Sequence, residues 1–419
     1  MLPATARTAQ IRITPVHLAT MRSPPSPFPQ KSPPMPIIAK HFETGQPVRI
    51  EVTPAGRIAS VTPATGYARE ADLPWVAPGF FDLQINGYGG IWFSDPHLTP
   101  DQVLQVLSQY QRHGVTRLCP TLITNSREAL CAGLTALRQA CERETWADQM
   151  VAGCHVEGPF ISPEDGPRGA HPREHVRPCD WAEFEAWQAA AGGRVCLVTI
   201  AAEAEGAEAF IQRASASGIT IALGHSGANT AQIEAAVRAG ARLSTHLGNG
   251  ASPLLPRHPN LLWDQLGESR LAASLITDGH HIPASFVRSV VRAKGLSECV
   301  ITCDASGLAG CSPGPYEVYG QVFEVLPSGK IVVGGQRTLL AGSAQTTEHC
   351  VATCVRLAGV SLGAACQMAG DNPARILRRE RIGLMAGCRA DLVVFQHHAE
   401  GETPRLEILE TWLAGNRVV

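Results

Sequence analysis

The sequence predicts an α/β fold in which a (β/α)8 barrel carries a small β-sandwich domain built from both chain ends. In the middle of the chain, short apolar segments typical of strands alternate with amphipathic segments typical of helices. Repeated strand-then-helix units imply a parallel sheet with crossover helices, and about 300 residues of this pattern fit a closed barrel better than an open sheet. No Gly-rich dinucleotide fingerprint follows these strands, which weighs against a Rossmann-type sheet.

Changes of pattern along the chain set the predicted domain boundaries. The proline-rich beginning cannot form a helix or a central strand, so residues 1–35 are predicted to be a disordered extension. Residues 36–76 and 385–419 are predicted to form the small β domain, because alternating strand-like segments occupy both ends. Residues 77–384 between them are predicted to form the barrel.

Local patterns support the individual elements. In the β domain, Val48–Val52 and Arg57–Val61 alternate around a Pro-Ala-Gly turn and predict a hairpin, and 390–395 and 407–412 predict two further strands. In the barrel, four predicted helices are each followed by an apolar strand. These helices cover 103–112, 207–216, 230–239 and 284–294, and the strands cover 115–118, 219–223, 242–245 and 299–302.

The composition excludes several classes of partner. A formal net charge of −2 with 17% charged residues gives no sign of nucleic acid or of an anionic membrane as a partner. The chain has no apolar run of about 18 residues and no continuous apolar leader, so neither a membrane span nor a secretory signal is predicted. Thirteen scattered cysteines without a CxxC pair suit reduced thiols, and a cytoplasmic location is therefore expected.

Histidines and carboxylates recur where the predicted barrel strands end. In a barrel, the carboxyl ends of all strands lie on one face, where active sites form. A single histidine of this kind is usually a satisfied structural residue, but five segments in register with strand ends are better explained by one shared site. These segments are Cys154–Pro159, Leu223–Ser226, Ser244–Leu247, Ile276–His281 and Thr302–Ala305.

The residue types at these strand ends indicate a metal site. Glu157, His225 and His246 offer one carboxylate and two imidazoles, a ligand set that suits zinc and leaves one position open. His225 and His246 lie 21 residues apart, about one helix-plus-strand repeat, so adjacent strands can carry them. Asp304 then suits a general base that takes a proton from the attacking water and passes it to a leaving nitrogen.

The lysines indicate that a bridged pair of metal ions is absent. The chain contains only Lys31, Lys40, Lys294 and Lys330, and none of them lies at the end of a predicted barrel strand. A binuclear site bridged by a carbamylated lysine is therefore not expected. We predict one divalent metal ion per subunit, with zinc as the expected metal.

An ordered set of motifs gives the chain a family resemblance. The motifs are Pro78–Gly87, His155–Phe160, Gly224–Ser226, Thr245–Gly250, Asp278–His281, Thr302–Ala305, Leu340–Ser343, Asn372–Ala374 and Gly387–Leu392. In this combination and order they resemble the amidohydrolase superfamily, and within it the deacetylases of N-acetylated amino sugar phosphates. The resemblance runs from about residue 40 to the C-terminus.

This resemblance implies an activity and catalytic roles. The implied reaction is hydrolysis of the acetamide of an amino sugar phosphate such as N-acetyl-D-glucosamine 6-phosphate. Glu157, His225 and His246 match the metal ligands of the superfamily, and Asp304 matches its catalytic aspartate. His281 matches a histidine that contacts the acetyl carbonyl and supports the developing oxyanion.

The resemblance also implies a substrate pocket and a dimer. His171 matches a sugar-contacting histidine, and Asn249, Gly250 and Arg257 match the region that binds the phosphate. An arginine suits a phosphate because its planar fork of donors meets two oxygens at once. In the family this arginine lies near a dimer interface, so a homodimer is implied. As alternatives, Arg257 among its prolines can be a surface loop residue, and His171 can be a solvated loop residue.

Departures from the wider superfamily bear on the metal count and on the substrate. Many amidohydrolases carry His-x-His after the first barrel strand and bind a second metal there, whereas this chain has Gln84 and Asn86. Neutral amides are poor zinc ligands, which again predicts one metal. Gly248 and the segment Leu254–Pro259 are unusual within the expected substrate pocket, so the identity of the sugar and the need for its phosphate stay open.

Two rival hypotheses remain beside amino sugar phosphate deacetylation. The first is a deacylase that uses the same site on another N-acyl amino sugar or N-acyl compound without the phosphate. The second is an inactive barrel that acts as a binding protein. The sequence disfavours the second, because every mechanistic position carries a residue competent for the chemistry.

Overall fold

The computed structural model describes residues 36–66, 72–318, 320–335, 339–399 and 404–419. The predicted disordered extension, residues 1–35, lies outside the described residues. Within these described ranges, no helix combines the length and the apolar character that crossing a membrane requires.

The strands fall into a barrel, a sheet made from both chain ends, an inserted sheet and a small hairpin. In chain order they are β1 (Ile37–His41), β2 (Pro47–Val52), β3 (Ile58–Pro63), β4 (Trp75–Pro78), β5 (Phe80–Ile85), β6 (Gly87–Tyr88), β7 (Ile91–Trp92), β8 (Val115–Ile123), β9 (Cys154–Glu157), β10 (Val195–Ile200), β11 (Thr220–Leu223), β12 (Leu243–Ser244), β13 (Ala272–Ile276), β14 (Cys299–Thr302), β15 (Gly314–Val318), β16 (Gln321–Val325), β17 (Lys330–Val333), β18 (Leu340–Ser343), β19 (Leu392–His398), β20 (Arg405–Leu413) and β21 (Asn416–Arg417).

Most of the helices connect successive barrel strands. In chain order they are α1 (Pro100–Gln111), α2 (Arg127–Arg143), α3 (Thr145–Met150), α4 (Trp181–Ala191), α5 (Ala207–Ala216), α6 (Thr230–Ala239), α7 (Leu261–Gly267), α8 (Ala284–Lys294), α9 (Thr347–Cys354), α10 (Leu362–Met368) and α11 (Asp371–Ile376). Local chemistry fixes several of their starts. Thr99 and Gln102 form a reciprocal capping box at α1, and Asn229 and Gln232 form the same arrangement at α6.

Eight parallel strands form the predicted barrel, which confirms the predicted fold class. The order of the strands around the barrel follows the chain from β5 through β8 to β14. A parallel bridge between Ile85 and Ala305 joins the end of the first strand to the end of the last. The carboxyl ends of the strands therefore surround one common mouth.

Apolar side chains fill the opposite end of the barrel. Phe81, Leu197 and Val300 are buried there with side chains from the neighbouring strands. Ala374 of α11 and Leu377 close this end. Because this half of the barrel interior is packed with apolar side chains, a polar site can lie only toward the carboxyl ends of the strands.

The two chain ends meet in one seven-stranded sheet. Its order is β21-β20-β19-β4-β1-β2-β3, so strands from the C-terminal end lie beside strands from the N-terminal end. Leu392 pairs with Pro78 where β19 runs antiparallel to β4. The sheet therefore links the beginning and the end of the barrel segment.

A four-stranded antiparallel sheet, β15 to β18, is inserted between the last barrel strand and α9. The sequence did not predict this sheet. Its buried side chains, Phe323 among them, pack against Trp92 and Leu308 of the barrel mouth. The inserted sheet therefore forms one wall of the barrel mouth at the carboxyl ends of the strands.

Candidate active site

Four predicted site residues lie at the carboxyl ends of barrel strands. Glu157 is the last residue of β9, and His225, His246 and Asp304 each lie two residues beyond β11, β12 and β14. The last three have positive φ values of 51°, 30° and 49°. Such a conformation is unfavourable for residues with a side chain, and it concentrates at sites where the surrounding structure holds a functional group in place.

Glu157, His225 and His246 form a buried cluster whose ligand atoms all lie within 4.8 Å of one another. Nε2 of His246 lies 3.0 Å from Oε1 of Glu157, and Nε2 of His225 lies 3.3 Å from the same oxygen. Burial opposes ionisation of Glu157, but hydrogen bonds from the two histidines outweigh it and hold the pKa of Glu157 well below its ordinary value. A carboxylate that converges with two imidazoles on one point is a fitting ligand set for a divalent metal ion.

The second ring nitrogens of the two histidines differ in their surroundings. Nδ1 of His225 lies 2.9 Å from the backbone oxygen of Pro167, which fixes the ring and leaves Nε2 toward Glu157. Nδ1 of His246 is buried and has no hydrogen-bond partner among the described residues. Burial lowers the pKa of His246, but the hydrogen bond and the charge of Glu157 prevail, so the net shift is upward.

Two amide side chains hold the carboxylates of the site. Nε2 of Gln84 donates to Oε1 of Glu157 at 2.9 Å and to Oδ1 of Asp304 at 3.0 Å. Nδ2 of Asn86 donates to the same oxygen of Asp304 at 2.8 Å. The positions that carry a histidine pair in many amidohydrolases therefore carry donors to carboxylates in this chain.

The carboxyl group of Asp304 is set up to exchange a proton near neutral pH. Burial and the negative charge of Glu157 raise the pKa of Asp304 to about 6. Groups that accept and release protons during catalysis work best when their pKa lies near the working pH.

Asp82 fixes the backbone on both sides of this arrangement. Its fully buried carboxylate accepts hydrogen bonds from the backbone N–H of Gln84 at 3.0 Å and of Cys303 at 2.9 Å. The hydroxyls of Thr302 and Thr347 donate to it as well. Asp82 therefore ties the first and last barrel strands together directly beside the residues that contact Asp304.

His281 is oriented by Asp278. Nδ1 of His281 lies 2.7 Å from Oδ2 of Asp278, which also accepts a hydrogen bond from the hydroxyl of Ser343 at 2.9 Å. Burial raises the pKa of Asp278, but the hydrogen bond and charge of His281 outweigh it and hold that pKa well below its ordinary value. His281 lines the cavity at the carboxyl ends of the barrel strands, whereas the adjacent His280 does not.

A cavity of about 280 Å³ opens at the carboxyl ends of the strands. Eight of the nine predicted site residues line it: Glu157, His171, His225, His246, Asn249, Gly250, His281 and Asp304. Trp92 and Phe323 add an aromatic wall that the sequence did not predict. Arg257 is the exception, because it lies on an exposed loop and does not line the cavity of its own chain.

His171 is buried rather than solvated, with 5% of its surface exposed. Its Nδ1 lies 2.8 Å from the hydroxyl of Thr124, and its ring centroid lies 4.2 Å from that of His225. Burial and the neighbouring His225 lower the pKa of His171 to about 3. This shift favours the neutral imidazole of His171, which lies beside the cluster of Glu157, His225 and His246.

The loop after His246 brings backbone close to the cluster. Asn249 donates from Nδ2 to the backbone oxygen of His246 at 3.1 Å. Gly250 has a φ of 57°, and a Cβ atom at this position would lie 2.9 Å from Nδ1 of His225. A glycine is thus required where this loop passes His225, and the loop's backbone borders the cavity.

Comparisons with known proteins agree with this geometry. The profile of the Amidohydrolase family matches residues 75–418. The N-acetylgalactosamine-6-phosphate deacetylase of Escherichia coli O157:H7 is 31% identical over 86% of this chain and 92% of its own length. The mouse N-acetylglucosamine-6-phosphate deacetylase is 34% identical over 82% of this chain and 83% of its own. The crystal structure of N-acetyl-D-glucosamine-6-phosphate deacetylase from Mycobacterium smegmatis matches with a TM-score of 0.82 and 30% identity, covering 92% of this chain and all of that one.

Proposed function

Because this chain belongs to the amidohydrolase family, we propose that it hydrolyses the acetamide of N-acetyl-D-glucosamine 6-phosphate, giving D-glucosamine 6-phosphate and acetate. The observation that carries the proposal is the buried cluster of Glu157, His225 and His246 beside Asp304 at the cavity. Relatives named for the N-acetylglucosamine and the N-acetylgalactosamine phosphates have similar identity to this chain. The acetamide is the feature that these two substrates share.

We propose that Glu157, His225 and His246 hold one divalent metal ion, with zinc as the expected metal. One carboxylate and two imidazoles suit zinc and leave room for water and substrate. When bound, such an ion polarises a carbonyl group and lowers the pKa of water. Gln84 and Asn86 are engaged with carboxylates as hydrogen-bond donors, which supports a count of one ion.

Asp304 moves the proton in the proposed reaction. Its Oδ1 is held by Gln84 and Asn86, which leaves Oδ2 to carry the proton. Water attacks the acetyl carbon while one of its protons moves to Asp304. The C–N bond then breaks, and Asp304 returns the proton to the leaving amine. A pKa of about 6 lets the same group accept and donate near neutral pH.

His281 and His171 each assist the reaction in this proposal. The contact between Nδ1 of His281 and Asp278 leaves Nε2 available to donate to the acetyl oxygen as negative charge develops there. His171 lines the cavity as a neutral imidazole, which suits a hydrogen bond with a sugar hydroxyl. Its hydrogen bond with Thr124 fixes the ring for that contact.

We assign phosphate recognition to Asn249, Gly250 and Arg257 in a homodimer. Among the described residues that line the cavity there is no lysine or arginine, so this lining offers no such cation to a dianionic phosphate. Arg257 is exposed, and two exposed apolar side chains lie close to it in the sequence: Leu254, which is 86% exposed, and Trp263, which is 57% exposed. Exposed apolar side chains close in sequence to an exposed arginine favour an interface with a second copy.

A second candidate function is deacylation of an N-acyl amino sugar without the phosphate. The absence of a cationic residue among the described residues lining the cavity favours this candidate. It requires the same metal ligands and the same Asp304, and differs only in what the sugar carries.

We place the reaction in the cytoplasm. All thirteen cysteines are free, and most are buried in the packed interior. Many unpaired thiols suit a reducing compartment.

The decisive experiment assays the purified, zinc-loaded protein on N-acetylglucosamine and N-acetylgalactosamine, each with and without the 6-phosphate. Preference for a 6-phosphate, lost in Arg257→Ala, supports the proposed substrate class and the role of Arg257. Equal turnover with and without phosphate favours the second candidate. Zinc binding without any deacetylation would leave a binding protein as the better explanation. Light scattering of the same sample tests the dimer.

A further inference from the structure

We propose that Asn86 contacts the substrate directly and that its Oδ1 accepts a hydrogen bond from the N–H of the scissile amide. The inference rests on the proposed deacetylase function and names a recognition residue of the same cavity. Asn86 follows β5, is 4% exposed and lines the cavity. Its Oδ1 is buried and has no hydrogen-bond partner within the described part of the chain.

The orientation of the Asn86 amide follows from its neighbour. Nδ2 lies 2.8 Å from Oδ1 of Asp304. An ionised carboxylate only accepts hydrogen bonds, so the amide nitrogen must face Asp304 and the amide oxygen must face away from it. Turning the amide over would bring two acceptor oxygens together. Oδ1 is therefore an acceptor whose position is fixed before the substrate arrives.

An unsatisfied buried acceptor needs an explanation. Leaving such a group without a partner costs free energy, and native structures keep few of them. Asn86 borders the cavity, so the missing donor can come from the bound molecule. An N–H group of the substrate would satisfy Oδ1 only when the site is occupied.

The scissile nitrogen is the substrate donor that must approach this corner of the cavity. Asp304 returns its proton to that nitrogen in the proposed reaction, so the nitrogen comes within hydrogen-bond reach of Asp304. Oδ1 of Asn86 lies only one amide group away from the oxygen of Asp304 that Nδ2 contacts. After cleavage the leaving amine still carries N–H groups, so the contact can persist through the reaction.

Gln84 is a second donor to Asp304 and can be compared with Asn86. It donates to the same oxygen of Asp304 at 3.0 Å, and it is 2% exposed. Unlike Asn86, it is not among the residues that line the cavity. Gln84 therefore supports Asp304 without lining the cavity, whereas Asn86 supports Asp304 and also lines the cavity.

The test compares Asn86→Leu with Gln84→Met, two substitutions that keep side-chain size and remove a donor to Asp304. Both variants and the native chain are zinc-loaded and assayed for kcat/KM on N-acetyl-D-glucosamine 6-phosphate and on the ester analogue 2-O-acetyl-D-glucose 6-phosphate. The ester has no N–H at the scissile position. Relative to the native chain, we expect Asn86→Leu to lose about tenfold more activity on the amide than on the ester. The amide-to-ester ratio of Gln84→Met should fall much less.

The comparison with Gln84→Met removes any effect that passes only through Asp304. If the amide-to-ester ratio falls equally in both variants, Asn86 acts only on Asp304 and the inference is overturned. Zinc content and thermal unfolding are measured for each variant, and Asn86→Ala replaces Asn86→Leu if the latter does not fold. Loss of the proposed function itself is distinguishable, because the native chain would then hydrolyse neither substrate.

Discussion

Oδ2 of Asp278 lies 2.7 Å from Nδ1 of His281 at the rim of the cavity. This contact fixes the ring, and in the proposed reaction its other nitrogen contacts the acetyl oxygen. Asp278→Asn should therefore lower kcat by about 100-fold while KM changes little, because the lost interaction acts on charge that develops during the reaction. Steady-state kinetics on N-acetyl-D-glucosamine 6-phosphate measure the effect.

Ser343→Ala is the matched control for Asp278→Asn. It removes one hydrogen bond to the same Oδ2 but keeps the carboxylate and its contact with His281. A loss of only a few-fold is expected for this variant. Equal losses in the two variants would show that the carboxylate of Asp278 has no special role for His281.

Asp304→Asn should abolish most activity without removing the metal. The amide keeps the size of the side chain but cannot accept a proton, so a loss of about 10³-fold in kcat is expected. Zinc content should stay at one per chain, because Asp304 is not part of the cluster formed by Glu157, His225 and His246. Full activity in a zinc-loaded Asp304→Asn variant contradicts the proposed role.

The activity should depend on pH through Asp304. Its carboxyl must be ionised to take a proton from water, and burial together with Glu157 raises its pKa to about 6. Below about pH 6 the ionised fraction falls tenfold for each pH unit, so kcat/KM should fall on the acid side and level off above about pH 7. A profile measured from pH 4.5 to 8.5 tests this, and a rate that stays flat down to about pH 5 contradicts it.

The sequence predicted the repeating part of the fold well because that part follows from local pattern. The helices predicted over 207–216, 230–239 and 284–294 match α5, α6 and α8, and the strand predicted over 299–302 matches β14. The inserted sheet from β15 to β18 was missed. Its strands depend on pairing with one another and on apolar contacts with Trp92, and neither is visible as a local period.

The site shows the same division between what the sequence predicts and what it leaves open. The sequence alone predicted that Glu157, His225, His246 and Asp304 share one site, because polar residues gather at the carboxyl ends of barrel strands. The sequence could not predict that Gln84 and Asn86 both donate to Asp304, because side-chain directions and the closure of the barrel decide that contact. Asp278 had a visible signal, since it lies three residues before His281.

Removing a proposed metal ligand should remove metal and activity together. Glu157→Gln keeps the size of the side chain but replaces the charged oxygen that both histidines approach. Chelation should inactivate the native chain and the addition of zinc should restore it, whereas Glu157→Gln should stay inactive and bind zinc more weakly. Metal analysis after dialysis, with activity assayed in parallel, tests this. Recovery of the variant at the same zinc concentration as the native chain contradicts the assignment.

Outside the active site, the largest loss of stability is expected from Asp391→Ala. Its fully buried carboxylate contacts Nε of Arg117 at 3.1 Å and Nε of Arg389 at 2.7 Å, and it accepts the backbone N–H of Ala414 at 2.9 Å. The substitution leaves the guanidinium of Arg117, 6% exposed, without its charged partner where the barrel meets the terminal sheet. Breaking a buried pair in this way typically costs about 3–5 kcal/mol.

Glu51→Ala, which breaks the exposed pair with Arg49, should change the free energy of unfolding by less than about 1 kcal/mol. Urea unfolding of both variants measures the difference, and equal midpoints would show that the buried pair does not stabilise the junction.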